Sequence, residues 1–250
     1  MKFIAGGFSS IGSGLKPAGH RFSLVNAIVW DVSGNATSSS PCLVMIPKSL
    51  QLVLPGAFAR YLPVLLFGQH LEDAVLSGLV PVVAAIVGLL LALNLMILRS
   101  PDHPLFKQIL GGILGLVMGS IVFHVTVVLF GAPVVDLWMQ TLLLAVLLSS
   151  CVTMPFALHL ECAPRKWLDL LLELNVSNSQ DLYLVSSSIG AMLGAYVGAL
   201  PIPLDWDRPW QQWPLTCVYG TLMGHAAGIF VSIVISATSK YFTAKSTKKD

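Results

Sequence analysis

Long apolar runs separated by short polar breaks set the pattern of the chain. Residues 75–98, 108–130, 134–158, 182–200 and 215–236 are each almost wholly apolar over about 20 residues, the length a helix needs to cross a hydrocarbon core about 30 Å thick. A sixth run, 50–69, is interrupted by Pro55, Arg60 and Pro63. An arginine at mid-span costs about 2.5 to 3.5 kcal/mol on insertion scales, so hydropathy alone leaves this run undecided. Residues 1–49 are rich in Gly and Ser and hold no run long enough to span, which predicts a mostly disordered tail. The apolar start of the chain breaks at Gly6, before the core of a secretory signal could form, so no cleaved signal peptide is expected.

Composition sharpens this picture into a class. Of 250 residues 55% are hydrophobic and 10% charged, against roughly 25% charged in water-soluble domains. The expected fold is therefore all-α, a polytopic transmembrane helical bundle of about six spans. A net charge of +2 with scattered basic residues excludes the basic stripe of a nucleic-acid-binding protein. Charge also resolves the first run. With six spans, Lys2, Lys16, Arg21, Lys48, Arg99, Lys107, Arg165, Lys166, Lys240, Lys245, Lys248 and Lys249 fall on one side, only Arg208 lies on the other, and Arg60 stays within the membrane. Basic residues gather on the cytoplasmic side, so both termini are expected there, residues 1–49 and the basic tail 237–250 included. Loops on the far side, around 69–73, 131–133 and 201–214, are too short for a folded catalytic domain. The largest near-side loop, 159–181, carries Trp167, Leu168, Leu171 and Leu172 at helical spacing beside charges, which predicts an amphipathic turn or two along the interface.

Two sets of residues inside the spans stand out. Gly190, Gly194 and Gly198 repeat every fourth position in the fifth span, Gly220, Gly224 and Gly228 in the sixth, and Gly111, Gly115 and Gly119 in the third. Such stripes let backbones approach closely where no hydrophobic force drives helices together. They serve packing within the chain or docking of a partner's helix, and the sequence does not say which. His124 and His225 are the intramembrane ionisable residues, either interhelical hydrogen-bonding groups or parts of a polar path. Cys42, Cys151, Cys162 and Cys217 show neither a paired spacing nor companion histidines, which predicts no zinc or redox site.

One loop differs from the rest. Residues 198–214 hold Pro201, Pro203, Pro209 and Pro214, which restrict the backbone, and Trp206, Trp210 and Trp213, suited to headgroup depth. Asp205, Asp207 and Arg208 are placed to form a local ion pair. The run Pro201-Ile202-Pro203-Leu204-Asp205-Trp206-Asp207-Arg208-Pro209-Trp210-Gln211-Gln212-Trp213-Pro214 resembles the glycosylphosphatidylinositol (GPI) anchor biosynthesis class F family, PIG-F, in which a P-I-P-L-D-W-[DE]-R-P-W-Q-x-W-P stretch precedes the last span. The resemblance takes in Phe123-His124-Val125, Gly131-Ala132-Pro133 and Asp136, and covers about residues 108–236. It implies a multi-pass subunit of the endoplasmic reticulum membrane that associates with a GPI ethanolamine-phosphate transferase. It also implies that the transferase partner holds the catalytic domain, its metal and its nucleophile, with phosphatidylethanolamine as donor. Lys248 is third from the end but Thr247 is fourth, short of a full dilysine retrieval signal, so the location rests on the family.

Chemistry in the chain itself points the same way. Phosphoryl transfer needs positioned charge stabilisation and an activated nucleophile. Asp205, Asp207 and Arg208 have no histidine or cysteine beside them in the loop, which makes an independent transferase the weakest reading. A lipid transporter or scramblase is the alternative of another class, but the spans show no internal repeat and no counter-ion for a lipid phosphate except Arg60. The expected function is a non-catalytic subunit, with no cofactor, that positions a transferase. In it Pro203, Asp205, Trp206, Asp207, Arg208, Pro209, Trp210 and Trp213 form a surface for the partner or for lipid headgroups.

Overall fold

The structure, a computed structural model, describes residues 41–98, 104–133, 135–160, 163–174, 176, 178–204 and 208–246. Among these there is no strand, and helices account for the architecture: α1 (Pro41–Phe67), α2 (Val75–Leu98), α3 (Leu105–Leu129), α4 (Trp138–Cys151), α5 (Thr153–Leu160), α6 (Pro164–Leu172), α7 (Ser179–Ala199) and α8 (Leu215–Ser246). Six stretches are long and apolar enough to cross a membrane: Met45–Phe67, Val75–Leu98, Leu105–Leu129, Trp138–Leu160, Ser179–Ala199 and Leu215–Ser239.

The first run, which hydropathy left open and charge counted as a span, is helical and begins earlier than its hydropathy suggested. Helix α1 starts at Pro41, so residues 41–49, expected in the tail, are helical, while residues 1–40 lie outside the described residues. Pro47, Pro55 and Pro63 all sit inside the helix. Neighbouring helices and side chains tolerate such prolines in a membrane, and packing against α2 and α8 holds this one. The earlier start also moves Arg60. It is not a mid-span charge but lies in the last turns before Phe67, where its Nη1 donates to His70 Nδ1 at 2.8 Å in the following loop. A guanidinium only donates, so His70 Nδ1 is the acceptor in this pair. Gly68, at φ +68°, closes α1 by donating its N–H to the Val64 carbonyl at 2.9 Å, a left-handed terminus that favours glycine.

The fourth span is the centre of the bundle. It is buried over 78% of its most apolar stretch, against 22% for α1 and for α3, so the other helices form a rim around it. It is also broken. Pro155 has no N–H and its ring crowds the carbonyl of residue 151, and the helix interrupts at Val152 before resuming as α5. Ser149 fills the break: its Oγ lies 2.7 Å from the Leu116 carbonyl of α3 and 2.6 Å from Thr153 Oγ1. Phe156 of α5 meets Trp167 of α6 edge to face at 6.2 Å between centroids, which holds α6 against the bundle while Leu168 and Leu172 stay exposed on the short amphipathic helix.

Helices α7 and α8 form the tightest pair. A Cβ built on Gly194 would fall on the carbonyl of Gly220, one on Gly190 on that of Gly224, and one on Gly198 on that of Thr216. The reverse holds from α8, where Gly220, Gly224 and Gly228 face the carbonyls of Gly194, Gly190 and Ser186. Both stripes thus face each other inside the chain. On α3 the contact register is Gly112, Gly115 and Gly119, which meet Leu158, Ala157 and Thr153. Gly111, grouped with that stripe by its spacing, has only an ordinary van der Waals neighbour in the Ala157 carbonyl.

Candidate functional site

The loop between α7 and α8 is built around one glutamine. After Ala199 the chain turns through backbone bonds from Ile202 N–H to Ala199 O (3.2 Å) and from Leu204 N–H to Pro201 O (3.1 Å). It returns as a short 3-10 turn, Pro209–Gln211, started by a proline whose missing N–H is no loss at that position. Gln211 joins the two halves. Its Nε2 donates to the carbonyls of Pro201 at 2.8 Å and Leu204 at 2.7 Å, and its Oε1 accepts from the Arg208 N–H at 3.0 Å. Three of the four hydrogen bonds that one glutamine side chain can make close the loop on itself.

Two further side chains fasten this loop to the rest of the bundle. Gln212 Nε2 donates to the Glu72 carbonyl at 3.3 Å, in the α1–α2 loop, and Trp213 Nε1 donates to Thr141 Oγ1 at 3.0 Å, in the first turn of α4. Thr141, fully buried, itself lies 3.0 Å from the Leu137 carbonyl. Three interhelical connections are therefore drawn into one cap at a single end of the bundle. Pro203, Arg208 and Pro209 are exposed on this cap, and Trp210 and Trp213 are half-buried. Asp136, which the family pattern includes, is exposed in the turn before α4. Asp205, Trp206 and Asp207 lie outside the described residues, as does the ion pair expected with Arg208. Gln211, Gln212 and Thr141 carry the geometry of the cap, and sequence reasoning assigned them no role, because a glutamine's bonds to loop carbonyls leave no trace in spacing.

At the opposite end lies a buried polar cluster that spacing also concealed. The Tyr183 hydroxyl of α7 is shared between Gln51 Oε1 of α1 and Asn94 Oδ1 of α2, 2.8 Å from the latter, and Gln51 Nε2 donates to Asn94 Oδ1 at 3.3 Å. The ammonium of Lys48 stands 5.0 Å over the Tyr183 ring. Asn178 caps α7 by accepting from the N–H groups of Gln180 (2.9 Å) and Asp181 (2.8 Å), and Asp181 Oδ1 lies 3.2 Å from His159 Nε2. A polar knot of this kind fixes three helices in register, because each unmade bond would leave a buried group unsatisfied.

The intramembrane histidines sit apart from both ends and from each other. His225 is buried between α7 and α8, with neither ring nitrogen hydrogen-bonded and the Ser187 backbone beside it. His124 of α3 is half-buried, and its Nδ1 is enclosed without a partner. The structure does not bring the two together into a path. Among the described residues no group of three or more His, Cys, Asp or Glu side chains is close enough to hold a metal ion.

Comparison with known proteins places the sequence. The model of a family described as "GPI biosynthesis protein family Pig-F" matches residues 50–233. The human protein named "GPI ethanolamine phosphate transferase, stabilizing subunit" is 35% identical over 184 residues, covering 73% of this chain and 83% of that protein. The "Glycosylphosphatidylinositol anchor biosynthesis protein 11" of Yarrowia lipolytica is 34% identical over 133 residues, 52% of this chain and 56% of its own length. A "PIGF/3-ketodihydrosphingosine reductase fusion protein" of Schizosaccharomyces pombe is 37% identical over 141 residues, 55% of this chain and 28% of its own length. No solved structure matches the chain.

Proposed function

Since the chain belongs to the Pig-F family of GPI biosynthesis proteins, we propose that it is a non-catalytic subunit that stabilises and positions a GPI ethanolamine phosphate transferase. The observation that carries this is the 184-residue likeness to a human protein named as the stabilizing subunit of that transferase. The family match, residues 50–233, takes in the cap and at least the greater part of each of the six candidate spans. The build of the molecule supports it. A bundle locked by glycine contacts at one helix pair and by a hydrogen-bonded cap at one end offers a rigid surface, while its far-side loops are too short to enclose a phosphoryl-transfer site. The metal, the nucleophile and the phosphoethanolamine donor then belong to the partner. The membrane is that of the endoplasmic reticulum, with both termini and the Lys48 end cytoplasmic and the 200–214 cap lumenal, following the side on which basic residues gather.

Sidedness is tested directly by glycosylation. Asn35-Ala36-Thr37 and Asn175-Val176-Ser177 are acceptor sequences, and this orientation places both in the cytoplasm. Neither should carry an endoglycosidase-sensitive glycan. A glycan on Asn175 overturns the placement of its loop, and one on Asn35 with Asn175 bare requires a lumenal N-terminus and five spans. The role is tested by purifying the tagged chain in mild detergent and identifying what is recovered in stoichiometric amount. The expected companion is the transferase catalytic subunit, and recovery of the chain alone would remove the basis for the stabilising role.

A further inference from the structure

We infer that the corner at the cap end of the bundle where Arg60, Glu72 and Tyr219 meet binds the headgroup of a phospholipid that carries a primary ammonium, its phosphodiester on the Arg60 guanidinium and its ammonium on the Glu72 carboxylate. Three elements build this corner. Arg60 lies two turns before the end of α1 at Phe67, Tyr219 one turn after the start of α8 at Leu215, and Glu72 in the loop from α1 to α2. The charges of Arg60 and Glu72 both act on the half-buried Tyr219 phenol, so the three side chains converge. Neutral groups hold them in place. His70 accepts from Arg60 Nη1 at 2.8 Å and donates its own backbone N–H to Asp73 Oδ2 at 2.9 Å, while the Glu72 carbonyl accepts from Gln212 of the cap at 3.3 Å.

The corner lacks the pairing that two neighbouring opposite charges ordinarily make. Among the described residues neither Arg60 nor Glu72 forms an ion pair, and no hydrogen bond reaches the Glu72 carboxylate. Arg60 is exposed and spends a donor on an imidazole, which leaves the rest of its fork for an oxyanion. Charges of both signs held at the edge of membrane spans are costly to leave unanswered, and a zwitterion answers both at once. A phosphodiester suits the guanidinium, and a primary ammonium, unlike a quaternary one, donates hydrogen bonds to a carboxylate. There is also room for acyl chains. Helix α1 ends and α8 begins at the cap, so these packed neighbours run antiparallel, and one turn further from the cap they reach Gly56 and Met223. Met223 is 73% exposed, and a Cβ built on Gly56 would meet nothing within 4 Å. The inference concerns this chain and the membrane alone and needs no transferase.

The test uses the purified full-length chain in mild detergent, with native mass spectrometry reading the lipid retained as phosphatidylethanolamine or phosphatidylcholine of the same acyl chains is added. The wild type should hold phosphatidylethanolamine about three- to tenfold more tightly than phosphatidylcholine. Arg60→Gln should weaken retention of both lipids by a similar factor, and Arg60→Lys, which keeps the charge, should restore most of it. Glu72→Gln should bring phosphatidylethanolamine down to the level of phosphatidylcholine and leave the latter unchanged. Arg165→Gln, which removes an exposed cation at the opposite end of the bundle, should change neither. Glycerophosphoethanolamine, the same headgroup without acyl chains, should not displace the lipid. Equal retention of the two lipids by the wild type, unchanged retention with Arg60→Gln, or an equal loss with Arg165→Gln would each overturn the site and leave the stabilising role standing. Displacement by glycerophosphoethanolamine would overturn the assignment to a lipid, and a loss of recovered transferase in Arg60→Gln with lipid retention intact would give the corner to a protein partner instead.

Discussion

Leucine at Gly194 or at Gly224 is expected to remove most of the folded protein from the membrane, and with it the recovered transferase. The cause is that a Cβ at either position falls on main-chain atoms of the facing helix, the carbonyl of Gly220 or of Gly190. A side chain in the way can rotate aside, but a carbonyl in the middle of a helix cannot, so α7 and α8 must separate along their whole contact. Overpacking typically costs 1 to 3 kcal/mol. Displacement of backbone puts these substitutions at or above the upper end, about 3 kcal/mol, which is on the order of a hundredfold in the folded ratio. Gly88 of α2 and Gly56 of α1, with nothing within 4 Å of a built Cβ, supply the controls. Leucine there should leave the protein level near that of the wild type. The readouts are immunoblot of the chain and of the co-purified partner. Normal levels of both with Gly194→Leu and Gly224→Leu would show that the close approach of α7 and α8 is not what holds the bundle.

The second large effect is expected from the cap. Gln211→Ala deletes two donors to loop carbonyls and the acceptor of the Arg208 N–H. Leaving such groups unpaired costs about 1 to 3 kcal/mol each where water is excluded. Because Gln211 is only partly buried, the net loss should fall near the lower figure, roughly a tenfold shift away from the ordered loop. Gln211→Glu should be no better, since a carboxylate still accepts from Arg208 but faces the Pro201 and Leu204 carbonyls with no proton to give. Trp213→Phe, which keeps the ring but loses the bond to Thr141, should produce a smaller decline in the same direction. The amount of recovered transferase and the level of GPI-anchored protein at the cell surface should fall in parallel across this series. A Gln211→Ala chain that retains its full complement of partner would mean that the loop's order is irrelevant to assembly.

These two sites were not equally legible in the sequence. Helix α2 was readable to the residue, because 75–98 is an uninterrupted apolar run between polar breaks. Helix α1 was not, since Pro55, Arg60 and Pro63 read as breaks and the apolar run starts only at residue 50. Lys48 is tolerated because the fold lays its ammonium over Tyr183 beside Gln51 and Asn94, and those partners stand 132 and 43 residues apart from Gln51 in the chain, beyond any local pattern. The glycine stripes of α7 and α8 were visible as spacing, but spacing could not say that each is the other's counterpart. That depends on two helices adjacent in sequence also being adjacent in space. On α3 the register slipped by one at its first position, from Gly111 to Gly112, because a 3.6-residue turn drifts away from a strict four-residue repeat. The tryptophans of the cap announced an interfacial loop, whereas Gln211, which closes it, looked like any other polar residue.

If this chain holds a transferase together while the chemistry proceeds on the partner, ethanolamine-phosphate transfer measured per molecule of co-purified transferase will show it. The informative chains are Asp205→Asn, Asp207→Asn and Arg208→Ala, since those positions carry the only ionisable side chains in the 201–214 loop. Any loss of total activity should follow the loss of recovered transferase, so that transfer per complex stays within about twofold of the wild type, far from the 100-fold or greater fall expected when a charge-stabilising group is removed from a reaction centre. Intact assembly with transfer per complex abolished in Asp205→Asn or Asp207→Asn would instead place the loop in the reaction and make this chain part of the catalytic machinery.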